Sequence, residues 1–216
     1  MAKASPRQLA VSADGSPTLW VPELDEHYHS IHGALTESQH VFLDAGFHAL
    51  AQNPMRILEV GLGTGLNAAL TLKQRAERTV YYTALEKFPL TPEEIQTLVP
   101  KDDAITATIL SAPPNELLHL EDGVEFRLLV EDLRTFQAEE NSYDLIYFDA
   151  FAPSAQPELW TDEIFQNMYK ILAPGGALVT YCAKGVVKRS MKSAGFEVER
   201  LPGPPRKREM TRAWKR

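Results

Sequence analysis

Four acidic side chains stand where alternating strands and helices would deliver them to one edge of a sheet: Glu59, Glu86, Asp132 and Asp149. Glu59 lies near the end of the apolar run Arg56-Ile57-Leu58-Glu59-Val60, which leads into Gly61-Leu62-Gly63-Thr64-Gly65-Leu66-Asn67 and then a helix. Glycines at 61, 63 and 65 let the backbone turn sharply and approach a ligand closely. Glu86 ends the run Thr79 to Leu85, where a carboxylate can accept both hydroxyls of a ribose. Glu131-Asp132 follows the run Val124 to Val130, placing a carboxylate and the next backbone amide, that of Leu133, against an adenine edge. Asp149 closes Asp144-Leu145-Ile146-Tyr147-Phe148, the best candidate for a central strand, and precedes Ala150-Phe151-Ala152-Pro153. A carboxylate there can accept an N–H from an attacking amine, or take the proton that the amine loses.

Each feature also has a plainer reading. The glycine loop can be a structural turn, Glu86 a solvated strand end, Asp132 a helix cap and Asp149 a cap for the loop after its strand. A dinucleotide site of the form G-x-G-x-x-G/A needs a small residue at position 66, where Leu66 stands. The spacing Glu59-x-Gly61-x-Gly63-x-Gly65 instead resembles motif I of Rossmann-like methyltransferases, whose acidic residue and loop hold the methionine end of S-adenosylmethionine. An amine held at Asp149 would then attack the sulfonium methyl, with proximity and in-line alignment supplying most of the acceleration.

The elements that must position these groups are legible in outline. Strands are expected at 56–60, 79–86, 124–131, 143–149, 176–182 and 196–201, with a last one near 209–214. Helices are expected near 36–52, where Thr36-Glu37-Ser38-Gln39 has capping-box spacing, and from Leu66 to Arg75. Others start at Thr91-Pro92-Glu93-Glu94 and span Pro157 to Leu172 and Val186 to Ala194. The alternation predicts an α/β fold, a doubly wound and mainly parallel seven-stranded sheet with an antiparallel last strand. Residues 1–52 are expected to form an arm and a helix packed on the core, and 53–216 the catalytic domain, in one structural unit.

Composition bounds the rest. At 216 residues the chain fits one domain, no apolar run approaches the roughly 20 residues of a membrane span, and the N-terminus lacks the apolar core of a secretory signal. Cys182 is the single cysteine, so a soluble, cytoplasmic protein is expected. Net charge is −7, yet residues 184–216 hold 11 Lys or Arg against three Glu, leaving 11 basic and 26 acidic residues elsewhere. Such asymmetry suits a local site for an anionic partner, or simply a solvated basic face.

With these features in order, the chain resembles the methyltransferases that complete the 5-methylaminomethyl group of wobble uridine in bacterial tRNA, the stand-alone MnmD type or the methyltransferase domain of MnmC. The resemblance spans roughly residues 20 to 212. Beyond the loop at 59–67 it rests on Gly33-Ala34-Leu35-Thr36-Glu37-Ser38-Gln39-His40-Val41-Phe42-Leu43, Phe148 to Pro153, Pro157-Glu158-Leu159-Trp160 and Lys207-Arg208-Glu209-Met210. It departs at Asp25-Glu26-His27-Tyr28-His29-Ser30 and at Gly203-Pro204-Pro205-Arg206. The resemblance implies methyl transfer from S-adenosylmethionine to the 5-aminomethyl group of (2-thio)uridine, with the anticodon stem-loop of tRNA as partner and a separate enzyme supplying the aminomethyl substrate. With the chain ending at Arg216, no oxidase half, and hence no flavin, is expected.

It further implies Asp149 as the catalytic group, and a cofactor site of Tyr28, Glu37, Glu59, Gly61, Gly63, Gly65, Asn67, Glu86, Lys87, Asp132, Leu133 and Asp149. Substrate contacts would come from Phe151, Pro153, Trp160, Lys188, Arg189, Arg206, Lys207 and Arg208. Trp160 can be a base-stacking platform or a core aromatic. The basic residues, Lys192 among them, can meet anticodon-stem phosphates, or Lys207-Arg208-Glu209 can belong to an internal ion-pair network. His27, His29 and His32 lie close together, but methyl transfer from a sulfonium needs no metal, and none is expected. Competing functions are methyl or aminopropyl transfer to a free amine, a non-catalytic RNA-binding module and a nicotinamide oxidoreductase, against which Leu66 counts.

Overall fold

The computed structural model describes residues 7–28 and 33–216; His29 and His32 of the histidine cluster lie outside them. A three-stranded antiparallel sheet comes first: β1 (Gln8–Val11), β2 (Pro17–Val21) and β3 (Glu26–His27). Helix α1 (Ala34–Ser38) continues as a π-helical stretch, Gln39–Asp44, followed by a 3-10 turn at Phe47–Ala49. The main sheet then alternates with helices: β4 (Met55–Val60), α2 (Leu66–Lys73), β5 (Val80–Leu85), α3 (Pro92–Leu98), α4 (Ala104–Leu110), β6 (Leu117–Glu121), β7 (Val124–Leu129) and β8 (Tyr143–Phe148). After a 3-10 turn at Pro157–Leu159 come α5 (Asp162–Ile171), β9 (Leu172–Thr180), α6 (Gly185–Ser193), β10 (Glu197–Pro202) and β11 (Glu209–Trp214).

The large sheet has the order β10-β11-β9-β8-β4-β5-β7-β6. Strands β4, β5, β7, β8 and β9 are parallel, and β11 runs antiparallel between β9 and β10. This is the expected doubly wound sheet with one strand more. The eighth, β6, pairs antiparallel with β7 at the edge. Its sequence Leu-Leu-His-Leu-Glu leaves every second residue exposed, so no continuous apolar run announces it.

The central strands are buried on both faces and alternate side chains between two apolar layers. Tyr147 of β8 packs with Phe42, Tyr82 and Phe126 in one layer, while its neighbour Phe148 packs with Trp160 and Phe165 in the other. The parallel register brings the carboxyl ends of β4, β5, β7 and β8 to one edge, where loops must cover unpaired backbone.

Three helices differ from expectation for identifiable reasons. The helix expected near 36–52 starts at Ala34, because Asp14 of the arm accepts the Leu35 amide at 3.1 Å in place of a cap from Thr36. It breaks at Gly46, where a Cβ would lie 2.4 Å from the Phe42 carbonyl oxygen. The helix expected over 157–172 is split, because Thr161 accepts the Ile164 amide and starts α5 afresh. Helix α4 was not expected at all: Ala-Ile-Thr-Ala-Thr-Ile-Leu reads like a strand, but the Asp103 side chain caps it and Ile109 and Leu110 are buried. The helix start expected at Thr91 is there, with Thr91 as N-cap, Pro92 in the first turn and a capping box between Thr91 and Glu94.

Candidate active site

A cavity of about 370 Å³ opens at the carboxyl edge of the sheet, walled by the loops after β4, β5, β7 and β8, by α1 and by the end of the arm. Its floor is the glycine loop. Gly61, Gly63 and Gly65 have φ of 87°, 55° and 75°, the region that favours glycine. A Cβ on Gly61 would meet the Asp149 carbonyl oxygen at 2.8 Å, and one on Gly63 the Tyr28 ring at 2.7 Å. Gly65 does not reach the cavity; it starts α2 beneath Leu110.

Beneath the loop lies a buried polar chain. The Tyr82 hydroxyl donates to Glu59 Oε2 at 2.9 Å, and the Asn67 side-chain nitrogen donates to Glu59 Oε1 at 3.0 Å and to Asp149 Oδ2 at 2.9 Å. Glu59 and Asn67, expected at the cofactor, are both walled off from the cavity. Glu59 is wholly covered by protein, and burial pushes its pKa well above the ordinary range. Their place is to hold Asp149, which does line the cavity. Burial raises Asp149 to about 7, the Asn67 hydrogen bond opposes the rise, Glu37 adds to it and Lys207 offsets it.

Around the rim, Glu86 accepts the Gly63 amide at 3.2 Å and the Phe88 amide at 2.8 Å. Asp132 is clasped by Arg134 at 2.6 Å and Lys87 at 2.8 Å, which hold its carboxyl far below the usual range. Leu133 lies in the wall beside it. Tyr28 packs against the loop at Gly63, edge-on to Phe151 with ring centres 5.2 Å apart. The arm that carries it is tied down by Arg7, which donates to the Phe88 and Pro89 carbonyls and pairs with Glu94 at 2.9 Å.

The expected substrate residues divide. Phe151 and Lys207 line the cavity; Pro153, Trp160, Lys188, Arg189, Arg206 and Arg208 do not. Trp160 is no stacking platform: it is buried, its Nε1 donates to the Phe151 carbonyl at 2.9 Å, and its ring packs on Phe148. Lys188 is also buried, paired with Glu209 at 2.7 Å. Lys207 pairs with Glu37 inside the mouth instead of facing a phosphate. Arg189 is exposed beside Lys192 and Arg200 in a separate shallow groove of about 160 Å³ along α6 and β10. Arg206 and Arg208 are exposed on the turn before β11.

Tyr181 and Arg134 also line the cavity, and Arg7 braces its arm, none of them marked by a sequence motif. Tyr181 follows β9, the next parallel strand after the one bearing Asp149, so its place at a strand's carboxyl end was the available signal. Its hydroxyl donates to the Ala150 carbonyl at 2.8 Å and its ring lies 5.0 Å from Lys207 Nζ. No signal pointed to Arg7, whose contacts lie more than 80 positions away. Among the described residues no cluster of His, Cys, Asp and Glu could hold a metal, and no helix is long and apolar enough to cross a membrane.

Residues 101–216 match the family described as S-adenosyl-L-methionine-dependent methyltransferase. The chain is 33% identical to the tRNA 5-methylaminomethyl-2-thiouridine biosynthesis bifunctional protein MnmC of Cupriavidus metallidurans over 95% of its own length and 33% of that protein's. It is 32% identical to the protein of the same name from Pseudoalteromonas atlantica, over 94% and 32%. It thus spans about a third of these relatives. The crystal structure of MNMC2 from Aquifex aeolicus superposes with a TM-score of 0.82 at 27% identity, covering 100% of this chain and 72% of that one. A TehB-like methyltransferase from Corynebacterium glutamicum, 16% identical with a TM-score of 0.51 over 84% and 88% of the two chains, shares the fold.

Proposed function

The chain belongs to the S-adenosyl-L-methionine-dependent methyltransferase family, and from that premise we propose that it methylates the 5-aminomethyl group of (2-thio)uridine at the tRNA wobble position, giving 5-methylaminomethyl-(2-thio)uridine. The observation that carries the reading is Asp149: an acid in the cavity lining, raised by burial to about 7, with a second acid, Glu37, in the same lining. An aliphatic amine is mostly protonated near neutral pH, and a base of that strength beside it can draw off the proton and expose the lone pair. Identity over nearly the whole chain to one third of the MnmC-named proteins supports the choice of acceptor.

S-adenosylmethionine, when bound, supplies a methyl group made electrophilic by its positive sulfur. The site fits it: Gly61 and Gly63, both at positive φ, line the cavity with backbone and no side chain, and acidic residues stand at successive strand ends. In this reading Tyr28, Gly61, Gly63 and Asp149 enclose the methionine end, Glu86 takes the ribose, and Lys87, Asp132 and Leu133 border the adenine. Phe151 walls the acceptor side. The exposed cations Arg189, Lys192 and Arg200 meet phosphates of the anticodon stem-loop, and a separate enzyme provides the aminomethyl-uridine. The arm and helices up to residue 52 act with the sheet as one unit, in the cytoplasm where tRNA is modified.

A competition for acceptors tests this. Offered tRNA bearing 5-aminomethyl-uridine together with free polyamines, the protein should transfer methyl groups from S-adenosylmethionine to the tRNA alone. Transfer to polyamine only would move the function to small-amine alkylation.

A further inference from the structure

Glu37 and Lys207, 170 positions apart, meet as an ion pair in the mouth of the cavity. The two halves are not alike. Glu37 sits in the first turn of α1 with its side chain 13% exposed, while Lys207 hangs from the turn between β10 and β11, 38% exposed on a flexible stem. Around the ammonium are the face of Tyr181 at 5.0 Å and the charge of Asp149, so the pocket favours a cation whatever its source. In this structure the cation is the protein's own.

We propose that the pair is an exchange gate: the incoming nucleotide's aminomethyl ammonium takes the place of Lys207 on Glu37, and the released Lys207 takes a phosphate of the same nucleotide. The proposal rests on the reading that the acceptor is an aminomethylated nucleotide. Its physical basis is that separating a half-buried ion pair leaves two charges without partners, which is costly unless both find new ones. A nucleotide carrying both an ammonium and a phosphate satisfies both. A free polyamine satisfies only Glu37, and an unmodified nucleotide only Lys207, so one ion pair selects for both features at once. The exchange also delivers the ammonium beside Asp149; there an N–H bond breaks, its electron pair stays on nitrogen, and the proton passes to the carboxylate.

Equilibrium binding to the full chain, saturated with S-adenosylhomocysteine, tests the exchange with three ligands: 5-aminomethyluridine, its 3′,5′-bisphosphate and uridine 3′,5′-bisphosphate. The wild type should bind the aminomethyl bisphosphate at least about tenfold more tightly than the nucleoside. Lys207→Met should lose that preference and bind the nucleoside more tightly than the wild type does, because Glu37 is already unpaired; Lys207→Arg should keep the preference. Glu37→Gln should lose the preference for aminomethylated over plain bisphosphate. An undiminished phosphate preference in Lys207→Met, or an undiminished aminomethyl preference in Glu37→Gln, overturns the gate. If the wild type itself fails to prefer the aminomethyl ligand, the acceptor assignment falls instead, so the two failures are distinguishable.

Discussion

Asn67 holds Asp149 by a hydrogen bond of 2.9 Å from its side-chain nitrogen to Oδ2. The same nitrogen donates to Glu59, so one amide sits between two carboxylates; burial raises the proton affinity of Glu59, and the charge of Asp149 adds to the rise. The Asn67 side-chain oxygen Oδ1 is buried with no partner among the described residues, so the orientation of the amide is set by the two acids. Asn67→Ala should lower turnover about 10- to 100-fold and destabilise the fold by about 1–3 kcal/mol, leaving two acids without a shared donor. Single-turnover rates and urea midpoints measured together check it; a stability loss without a rate loss would reduce Asn67 to a packing residue.

The pH dependence follows from burial of Asp149 and Glu59. An acid whose folded pKa lies above its unfolded value binds more protons when folded, so its contribution falls as pH rises between the two. For Asp149 that window runs from the ordinary 3.8 to about 7, and Glu59 has the same sign. Thermal unfolding should therefore show stability declining from pH 5 to pH 8, and Asp149→Asn should recover on the order of 1–3 kcal/mol at the alkaline end. Turnover runs the other way, rising as Asp149 ionises. Asp149→Asn should cost at least about 100-fold in turnover, with affinity for S-adenosylmethionine within a few fold. A rate that is flat across this range would remove Asp149 as the base.

Gly63→Ala carries two penalties, a positive φ and a Cβ 2.7 Å from the Tyr28 ring. Cofactor affinity should drop about tenfold or more. Adding Tyr28→Ala removes the clash but not the φ strain, so the double variant should regain part of the affinity. Calorimetric titration with S-adenosylhomocysteine distinguishes this from simple additivity, which would show that the arm and loop do not meet in solution.

Reversing charge in the α6 groove with Arg189→Glu and Lys192→Glu should raise KM for tRNA and flatten its salt dependence by about one unit of slope for each phosphate no longer neutralised. Cofactor affinity should stay the same, since neither residue lines the cavity. Unchanged tRNA binding would move the nucleic-acid face elsewhere on the surface.

The strands were readable because β4, β5 and β8 are short, largely apolar runs and β7 alternates apolar with charged residues, each with an acid near or just beyond its end. Edge strand β6 and helix α4 were not, since one is half exposed and the other is rich in β-branched residues. In the site, residues at strand ends were legible, while roles that depend on which neighbour a side chain meets were not. Glu59 and Asp149 look alike in sequence, yet one is sealed under Asn67 and Tyr82 and the other faces the cavity. Lys188 and Lys207 both looked like free phosphate ligands; in the structure each is held by an acid remote in sequence, Glu209 and Glu37.

Methyl transfer to the wobble aminomethyl group is read by nucleoside mass spectrometry of tRNA carrying 5-aminomethyl-2-thiouridine after incubation with this chain and isotopically labelled S-adenosylmethionine. One labelled methyl group should appear on the wobble nucleoside, and none with Asp149→Asn. Label on any other nucleoside, or a wild type that leaves the aminomethyl group unmethylated, would contradict the proposed function.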